Sequence, residues 1–263
     1  MNIVESDKKN IVICGDIHGE FETLVYNLKI NNITDSLILV AGDCGFGFHK
    51  ASYYDMLYKR LAPKLRTQGN IIFFVRGNHD DPAYFDGKTF VKKYMRCIAD
   101  YTVVSVAGHH ILCVGGAISI DREPRLREME LNRILGKDKQ PLYWKDEAPV
   151  FLPDEIKELT QLGIKIDTVV THTAPDFCEK RSKSGLTEWV KLDPHLLNDI
   201  ALERLSMTSL YDELIGNGHP LVGWYYGHFH SKYFEKINCT TFFMLNCLDF
   251  RIIIRRNESW ITT

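Results

Sequence analysis

Short apolar runs alternate with amphipathic stretches over the first third of the chain. Ile11-Val12-Ile13-Cys14, Leu37-Ile38-Leu39-Val40 and Ile71-Ile72-Phe73-Phe74-Val75 are apolar at every position. Continuous runs rich in β-branched and aromatic residues fit strands buried on both faces. Between them Phe21, Leu24, Val25 and Leu28 recur at helical spacing, as do Met56, Leu57, Leu61 and Leu65. Strand, helix, strand, helix, strand predicts an α/β chain with right-handed crossovers and parallel pairing.

The pattern then changes. Residues 102–107 and 110–115 read as antiparallel strands, because only Gly108 and His109 separate them. Residues 119–150 are charged, contain prolines and show weak periodicity. That is long for a plain connector and predicts a functional loop or lid insertion. A strand is expected at 166–171, a helix within 195–215, and strands near 221–226, 232–237, 241–246 and 251–256. With no internal repeat, low-complexity tract or linker, residues 1–263 are expected to form a single domain.

Composition narrows the classes. The net charge is −2, whereas a duplex nucleic-acid binder carries a basic excess or stripe. Lys180, Arg181 and Lys183 form one short basic cluster, read as a solvated loop first and a substrate-anion contact second. Nucleic acid is therefore disfavoured as a partner and kept only as a substrate alternative. The seven cysteines are odd in number and no pair has CxxC spacing, so neither a disulfide framework nor a thiolate zinc site is expected. No apolar stretch reaches the roughly 18 residues that span a bilayer. Residues 1–9 are polar, without the apolar core of a signal peptide. The expectation is a cytoplasmic protein with no membrane partner. No coiled-coil or other assembly signature is present, which leaves the oligomeric state open.

The chemistry lies directly after the apolar runs. Gly15-Asp16-Ile17-His18-Gly19 follows the first, Gly42-Asp43 the second, and Arg76-Gly77-Asn78-His79-Asp80 the third. His172 follows 166–171, and Gly227-His228-Phe229-His230 follows 221–226. Parallel strands present their carboxyl ends along one edge, so residues distant in sequence can converge there. Asp16, His18, Asp43, Asn78, His172, His228 and His230 thus form one candidate set. Imidazole and oxygen donors without thiolate suit manganese first, with iron or zinc as alternatives. Seven donors exceed one tetrahedral ion but suit two divalent ions sharing a carboxylate, roughly 3.5–4 Å apart.

The succession GDIHG, GD, GNHD, TH and GHFH, from Asp16 to His230, resembles the calcineurin-like metallophosphoesterase superfamily. The resemblance implies a four-layer α/β/β/α sandwich with a di-metal site at the carboxyl ends of the strands. It implies that Asp16, His18 and His230 hold one ion, that Asn78, His172 and His228 hold the other, and that Asp43 bridges both. Val114-Gly115-Gly116-Ala117 with Ser119, Asp121, Arg125, Trp144 and Glu147 also resembles a bacterial and phage subgroup.

The mechanism implied is attack on phosphorus by a hydroxide held between the two ions. By resemblance His79 would protonate or hydrogen-bond the leaving oxygen, and Asp80 would orient its ring. Arg76 is either a phosphate clamp or a structural ion-pair partner. Phe46, Phe48 and Phe229 either stack on an aromatic substrate group or pack the loops. Asp121, Arg122, Arg125, Trp144 and Glu147 form either a substrate-facing lid or a surface excursion with one anchoring tryptophan.

An arginine before GNH is also similar to the protein serine/threonine phosphatase branch. That branch carries a second arginine after its GD motif, where this chain has Cys44-Gly45-Phe46-Gly47-Phe48, and a glutamate where this chain has Asp80. The expected substrate is a small-molecule phosphate ester, a phosphomonoester or nucleotide polyphosphate by preference. The alternatives are a phosphodiesterase acting on cyclic nucleotides or nucleic acid, and a non-catalytic protein-binding module on the same scaffold.

Overall fold

The computed structural model describes residues 2–106, 108–179, 185–256 and 259–262, with the backbone alone from residue 254 onward. The Lys180, Arg181 and Lys183 cluster lies outside the described residues. In chain order the elements begin with β1 (Asn2–Ser6), β2 (Asn10–Cys14), α1 (Phe21–Ile30), β3 (Ser36–Ala41), α2 (Ala51–Gln68) and β4 (Ile71–Val75). Then come β5 (Met95–Cys97), β6 (Thr102–Val106), β7 (His109–Val114), α3 (Arg122–Ile134), α4 (Pro153–Gln161), β8 (Thr168–Thr171), α5 (Leu186–Leu192) and α6 (Leu196–Gly216). The chain closes with β9 (Gly223–Tyr226), β10 (Tyr233–Ile237), β11 (Thr240–Met244), β12 (Phe250–Arg256) and β13 (Ser259–Thr262).

Alternation inside the continuous apolar runs explains the layering. Ile11, Ile13, Leu37, Leu39, Phe73 and Val75 point one way, into a core shared with Val104, Ile111, Val170 and Tyr225 of a second sheet. Val12, Cys14, Ile38, Val40, Ile72 and Phe74 point the other way, onto α1 and α2. Both faces are covered, so neither can afford a polar residue. Each fully buried large aliphatic or aromatic side chain contributes about 1.5–3 kcal/mol.

The first sheet runs β13-β12-β2-β3-β4-β5 and the second β1-β6-β7-β8-β9-β11-β10. β2, β3 and β4 pair in parallel, as the crossover pattern predicts. β6 and β7 pair antiparallel, with Val106 opposite His109. On the outer face of the second sheet, Leu112, Val169, Trp224 and Phe242 pack against Ile156 and Leu159 of α4 and Met207, Leu210 and Leu214 of α6. Helix, sheet, sheet and helix make the four layers. Among the described residues no helix is long and apolar enough to cross a membrane.

Three details depart from the sequence pattern. The buried stripe of α2 is Tyr54, Leu57, Leu61 and Leu65, while Met56 is 63% exposed. Steps of three, four and four residues hold one helix face, and Met56 lies about 100° from Leu57 around the axis. The stretch from 119 to 150 contains α3, whose polar surface hid its helical period. β1, β5 and β13 are short or partly exposed strands without a continuous apolar run.

Candidate active site

All seven candidate donors follow the carboxyl ends of parallel strands. Asp16 and His18 follow β2, Asp43 follows β3, Asn78 follows β4, His172 follows β8, and His228 and His230 follow β9. The turns are tight. His18, Asp43, His228 and His230 have φ of 44°, 45°, 65° and 47°, in the left-handed region. Such conformations cost of order 1–3 kcal/mol each and persist where the surroundings over-determine them. The adjacent glycines are required for another reason. A Cβ on Gly77 would overlap Asp43, and one on Gly227 would overlap the Asp16 carboxylate.

The donors converge as two groups. His18 Nε2 and His230 Nε2 are 3.0 Å apart, and His230 Nε2 is 3.0 Å from Asp16 Oδ2. In the second group Asn78 Oδ1 lies 2.9 Å from His172 Nε2 and 3.1 Å from His228 Nδ1. Asp43 stands between the groups, with Oδ1 3.2 Å from His172 Nε2 and Oδ2 3.8 Å from His18 Nδ1. Outer contacts aim these atoms. His172 Nδ1 donates to the Ala41 carbonyl at 2.8 Å, leaving Nε2 for the site. The His228 main-chain N–H donates to the Asp16 carboxylate, and the His79 main-chain N–H donates to Asp43 Oδ1.

Asn78 is oriented by residues the sequence pattern left inside the loop. Its Nδ2 donates to Ser119 Oγ at 2.9 Å, which turns Oδ1 toward the two imidazoles. Ser119 Oγ donates in turn to Glu147 Oε2, and the Ser119 main-chain N–H donates to Glu147 Oε1. Burial pushes Glu147 up to about 8.

The electrostatics call for cations. Burial works against charge on His172, yet the neighbouring Asp43 prevails and pushes the ring up to about 9. A hydrogen bond to Asp16 does the same for His230, up to about 10. Burial opposes charge on Asp43 too, but the surrounding imidazoles, His172 first, hold it well below the usual carboxylate range. Two buried carboxylates thus draw protons onto imidazoles where divalent ions would satisfy the same charge. Asp16, His18, His230 and Cys247 form one group able to hold a metal ion, and Asp16, Asp43 and His172 another, among the described residues. The residues fit a two-ion site.

Cys247 is a candidate donor that sequence reasoning missed. It sits between β11 and β12, outside any metal-ligand spacing, so only its position in space reveals it. Contacts with His18 and then His230 pull its thiol down to about 7.

Two other expectations need correction. Asp80 does not reach the His79 ring. Its oxygens accept the main-chain N–H groups of Cys44, Gly45, Phe46 and Gly77 at 2.7–2.9 Å. It is a fully buried anchor joining the loops after β3 and β4, and burial pushes it up to about 6. Arg76 is not aimed at the substrate side either. Its guanidinium donates to Asp100 Oδ2 at 2.9 Å and to the Glu147 carbonyl at 2.8 Å. Of the two readings offered for Arg76, the structural ion pair is the one the fold builds.

His79 borders both cavities beside the donors. One of about 340 Å³ is lined by His18, Phe48, His49, Tyr53, His79 and Arg125 among others. The other, of about 610 Å³, includes Asp43, Asn78, His79, Trp189, His228 and Phe229. Burial lowers the His79 pKa, and its Nδ1 has no hydrogen-bond partner among the described residues. Phe46 is fully buried and stacks on Tyr54, so it packs the loop. Phe48 lines the smaller cavity and meets Trp144 edge-on at 5.3 Å between ring centroids.

Serine/threonine-protein phosphatase ppe1 of Schizosaccharomyces pombe is 25% identical over 173 residues, covering 57% of this chain and 52% of that protein. The chain therefore spans about half the length of that curated relative. A dimetal phosphatase from Danio rerio superposes with a TM-score of 0.56 at 10% identity, covering 98% of this chain and 96% of that one, a likeness of fold. A putative 5'-nucleotidase from Staphylococcus aureus aligns with a TM-score of 0.44 at 12% identity, over 97% of this chain and 53% of that one. The calcineurin-like phosphoesterase model matches residues 9–232. With most of its length matched in this way, the chain belongs to the calcineurin-like phosphoesterase family.

Proposed function

We propose that this chain is a metal-dependent phosphoesterase that hydrolyses a phosphomonoester or a nucleotide polyphosphate. The observation that carries the reading is the seven-donor convergence around Asp43 with His79 at the cavity wall. Asp16, His18 and His230 would hold one divalent ion, Asn78, His172 and His228 a second, and Asp43 would reach both. When bound, the ions supply Lewis acidity toward phosphoryl oxygens and acidify water. Manganese is the first choice for the imidazole, carboxylate and amide donors, with iron or zinc as alternatives.

The chain's own residues do the rest. The His228 and His79 main-chain N–H groups keep the Asp16 and Asp43 carboxylates fixed, so little reorganisation is needed when substrate arrives. His79 donates a hydrogen bond or a proton to the leaving oxygen from the cavity side. Arg125 lines the same cavity as His79 and takes over the phosphate-binding role first considered for Arg76. It is held by Asp121 Oδ2 at 2.8 Å and the Leu142 carbonyl at 3.0 Å.

The segment 119–150 is a lid within a single domain over 1–263 in this reading. Support comes from Arg122, which pairs with Asp193 and Asp199 at 2.5 Å each, and from Trp144 on Phe48. Ser119 and Glu147, beside Asn78, are among the residues resembling the bacterial and phage subgroup, which favours that placement. The cysteine spacing favours a reducing, cytoplasmic setting.

A second reading, a phosphodiesterase, is favoured by the larger cavity, where Trp189 and Phe229 offer apolar surface beyond His79 for a second ester group. Turnover of p-nitrophenyl phosphate, bis-p-nitrophenyl phosphate, a dinucleoside tetraphosphate and cyclic nucleotides, each with manganese, separates the two. Preference for the first and third substrates supports the proposal. Exclusive turnover of diesters replaces it with the second reading. A metal-loaded protein inert toward all of them points to a binding module instead.

A further inference from the structure

The loop between β11 and β12 delivers a sulfur to one of the two donor groups. Asp16, His18, His230 and Cys247 each offer one donor atom, and these four atoms all lie within 4.8 Å of one another. Cys247 is half-buried, so its sulfur faces these donors from the edge of the site.

The approach is built into the backbone. The Leu248 main-chain N–H donates to the Asp16 carbonyl at 2.9 Å, and the Gly15 N–H donates to the Asp249 carbonyl at 3.0 Å. The Leu245 N–H donates to the Tyr226 carbonyl at 2.8 Å, and the loop closes on itself through Asp249 N–H to the Asn246 carbonyl at 3.1 Å. Cys247 is thus tied on both sides to the strand ends that carry Asp16 and His228. Leu248 holds φ of 56°, a left-handed turn immediately after the cysteine. The Cys14 and Cys44 thiols, by contrast, are fully buried in the helix-side core.

We infer that Cys247 is a further protein ligand of the ion held by Asp16, His18 and His230, bound through its sulfur as thiolate. The inference rests on the two-ion reading of the site. On binding, the thiol gives up its proton to solvent and the sulfur's lone pair goes to the ion. Two imidazoles, one carboxylate and one thiolate, beside the Asp43 shared with the second ion, are donors of the kinds zinc takes. A thiolate favours zinc or ferrous iron over manganese, whereas Asn78, His172, His228 and Asp43 offer only nitrogen and oxygen. The two positions therefore differ in metal preference, and the pair is expected to fill as a mixed centre when zinc and manganese are both supplied.

Cobalt(II) tests this without relying on turnover. The protein loaded with cobalt should show a near-ultraviolet sulfur-to-cobalt charge-transfer band beside the visible bands of both ions. Cys247→Ser and Cys247→Ala should lose the charge-transfer band and keep the visible bands of the second ion. Their zinc affinity at the first position should fall by more than the roughly 10–100-fold that loss of an outer contact costs. Two bound cobalt ions without the band would overturn the assignment while leaving the two-ion site intact. A band that survives in both variants would do the same. Failure to bind cobalt at all would remove the two-ion reading along with it. A measurement on the unmodified protein guards against misfolded variants: zinc should protect Cys247 from iodoacetamide, as read by peptide mass spectrometry. Equal labelling with and without zinc would refute ligation.

Discussion

Asp80 Oδ1 accepts the Gly45 main-chain N–H at 2.7 Å, although the neighbouring His79 ring is the partner that sequence order suggests. Both oxygens of the carboxylate are used in this way, on two loops that carry Asp43 and Asn78 between them. The contact sets the spacing of the site through the backbone and not through an imidazole.

Asp80→Asn turns an amide NH2 against two of those N–H groups and removes an anionic acceptor. The expected cost is about 2–3 kcal/mol of folding stability, read as a lower urea midpoint. Wild-type stability with impaired turnover alone would restore to Asp80 a role in orienting His79.

His79 makes its main-chain contact to Asp43 through the peptide N–H, which alanine keeps. His79→Ala is therefore expected to retain both ions while turnover falls about 10²–10⁴-fold. Metal content by elemental analysis and initial rates on p-nitrophenyl phosphate check the two halves. Unchanged rates would take His79 out of the mechanism.

Ser119→Ala removes the acceptor that fixes the Asn78 amide. The amide is then free to rotate its NH2 toward the imidazoles. Affinity for the second ion should fall about 10–100-fold, with the first ion retained. Titration calorimetry with manganese would show one of two binding steps weakened, and two unaltered steps would contradict the orienting role.

The two arginines should behave oppositely. Arg125→Ala is expected to raise KM for a phosphomonoester about tenfold, since one charge-assisted contact is worth roughly 1.5 kcal/mol or more. Arg76→Ala should instead lower stability, because Asp100 and the 146–148 carbonyls lose their buried donor. A KM effect confined to Arg76 would reverse this assignment.

Burial pushes Glu147 up to about 8 and Glu203 up to about 7, from an ordinary value of 4.5. Between those limits the folded chain keeps protons that the unfolded chain has released. The stability these groups contribute is full below about pH 4.5 and is lost as pH rises through about 7 to 8. For metal-free protein, the urea midpoint of Glu147→Gln relative to wild type should therefore rise as pH goes from about 5 to about 8. A constant difference would mean that Glu147 titrates normally in the fold.

The central strands were legible because their chemistry is local. A strand covered on both faces admits no polar residue, and Ile11–Cys14, Leu37–Val40 and Ile71–Val75 show that directly. The candidate donors were legible for a related reason: a polar side chain presented at a strand's carboxyl end needs a sharp turn beside it, which writes Gly next to Asp, Asn or His. Short edge strands such as β1 and β5 carry no such mark, since much of their stability comes from a partner elsewhere in the chain.

What each side chain does with its neighbours was decided by the tertiary structure alone. Asp80 and Arg76 lie beside the expected ligands in sequence, yet the fold turns both toward main-chain groups of other loops. Cys247 lies far along the chain from Asp16, and the pairing of β12 with β2 brings their loops together. Sequence by itself marked the central strands and seven candidate donors, because burial and turn geometry act on neighbouring residues. Hydrogen-bond partners and the approach of Cys247 to Asp16 depend on directions in space, which exist only once the two sheets have packed.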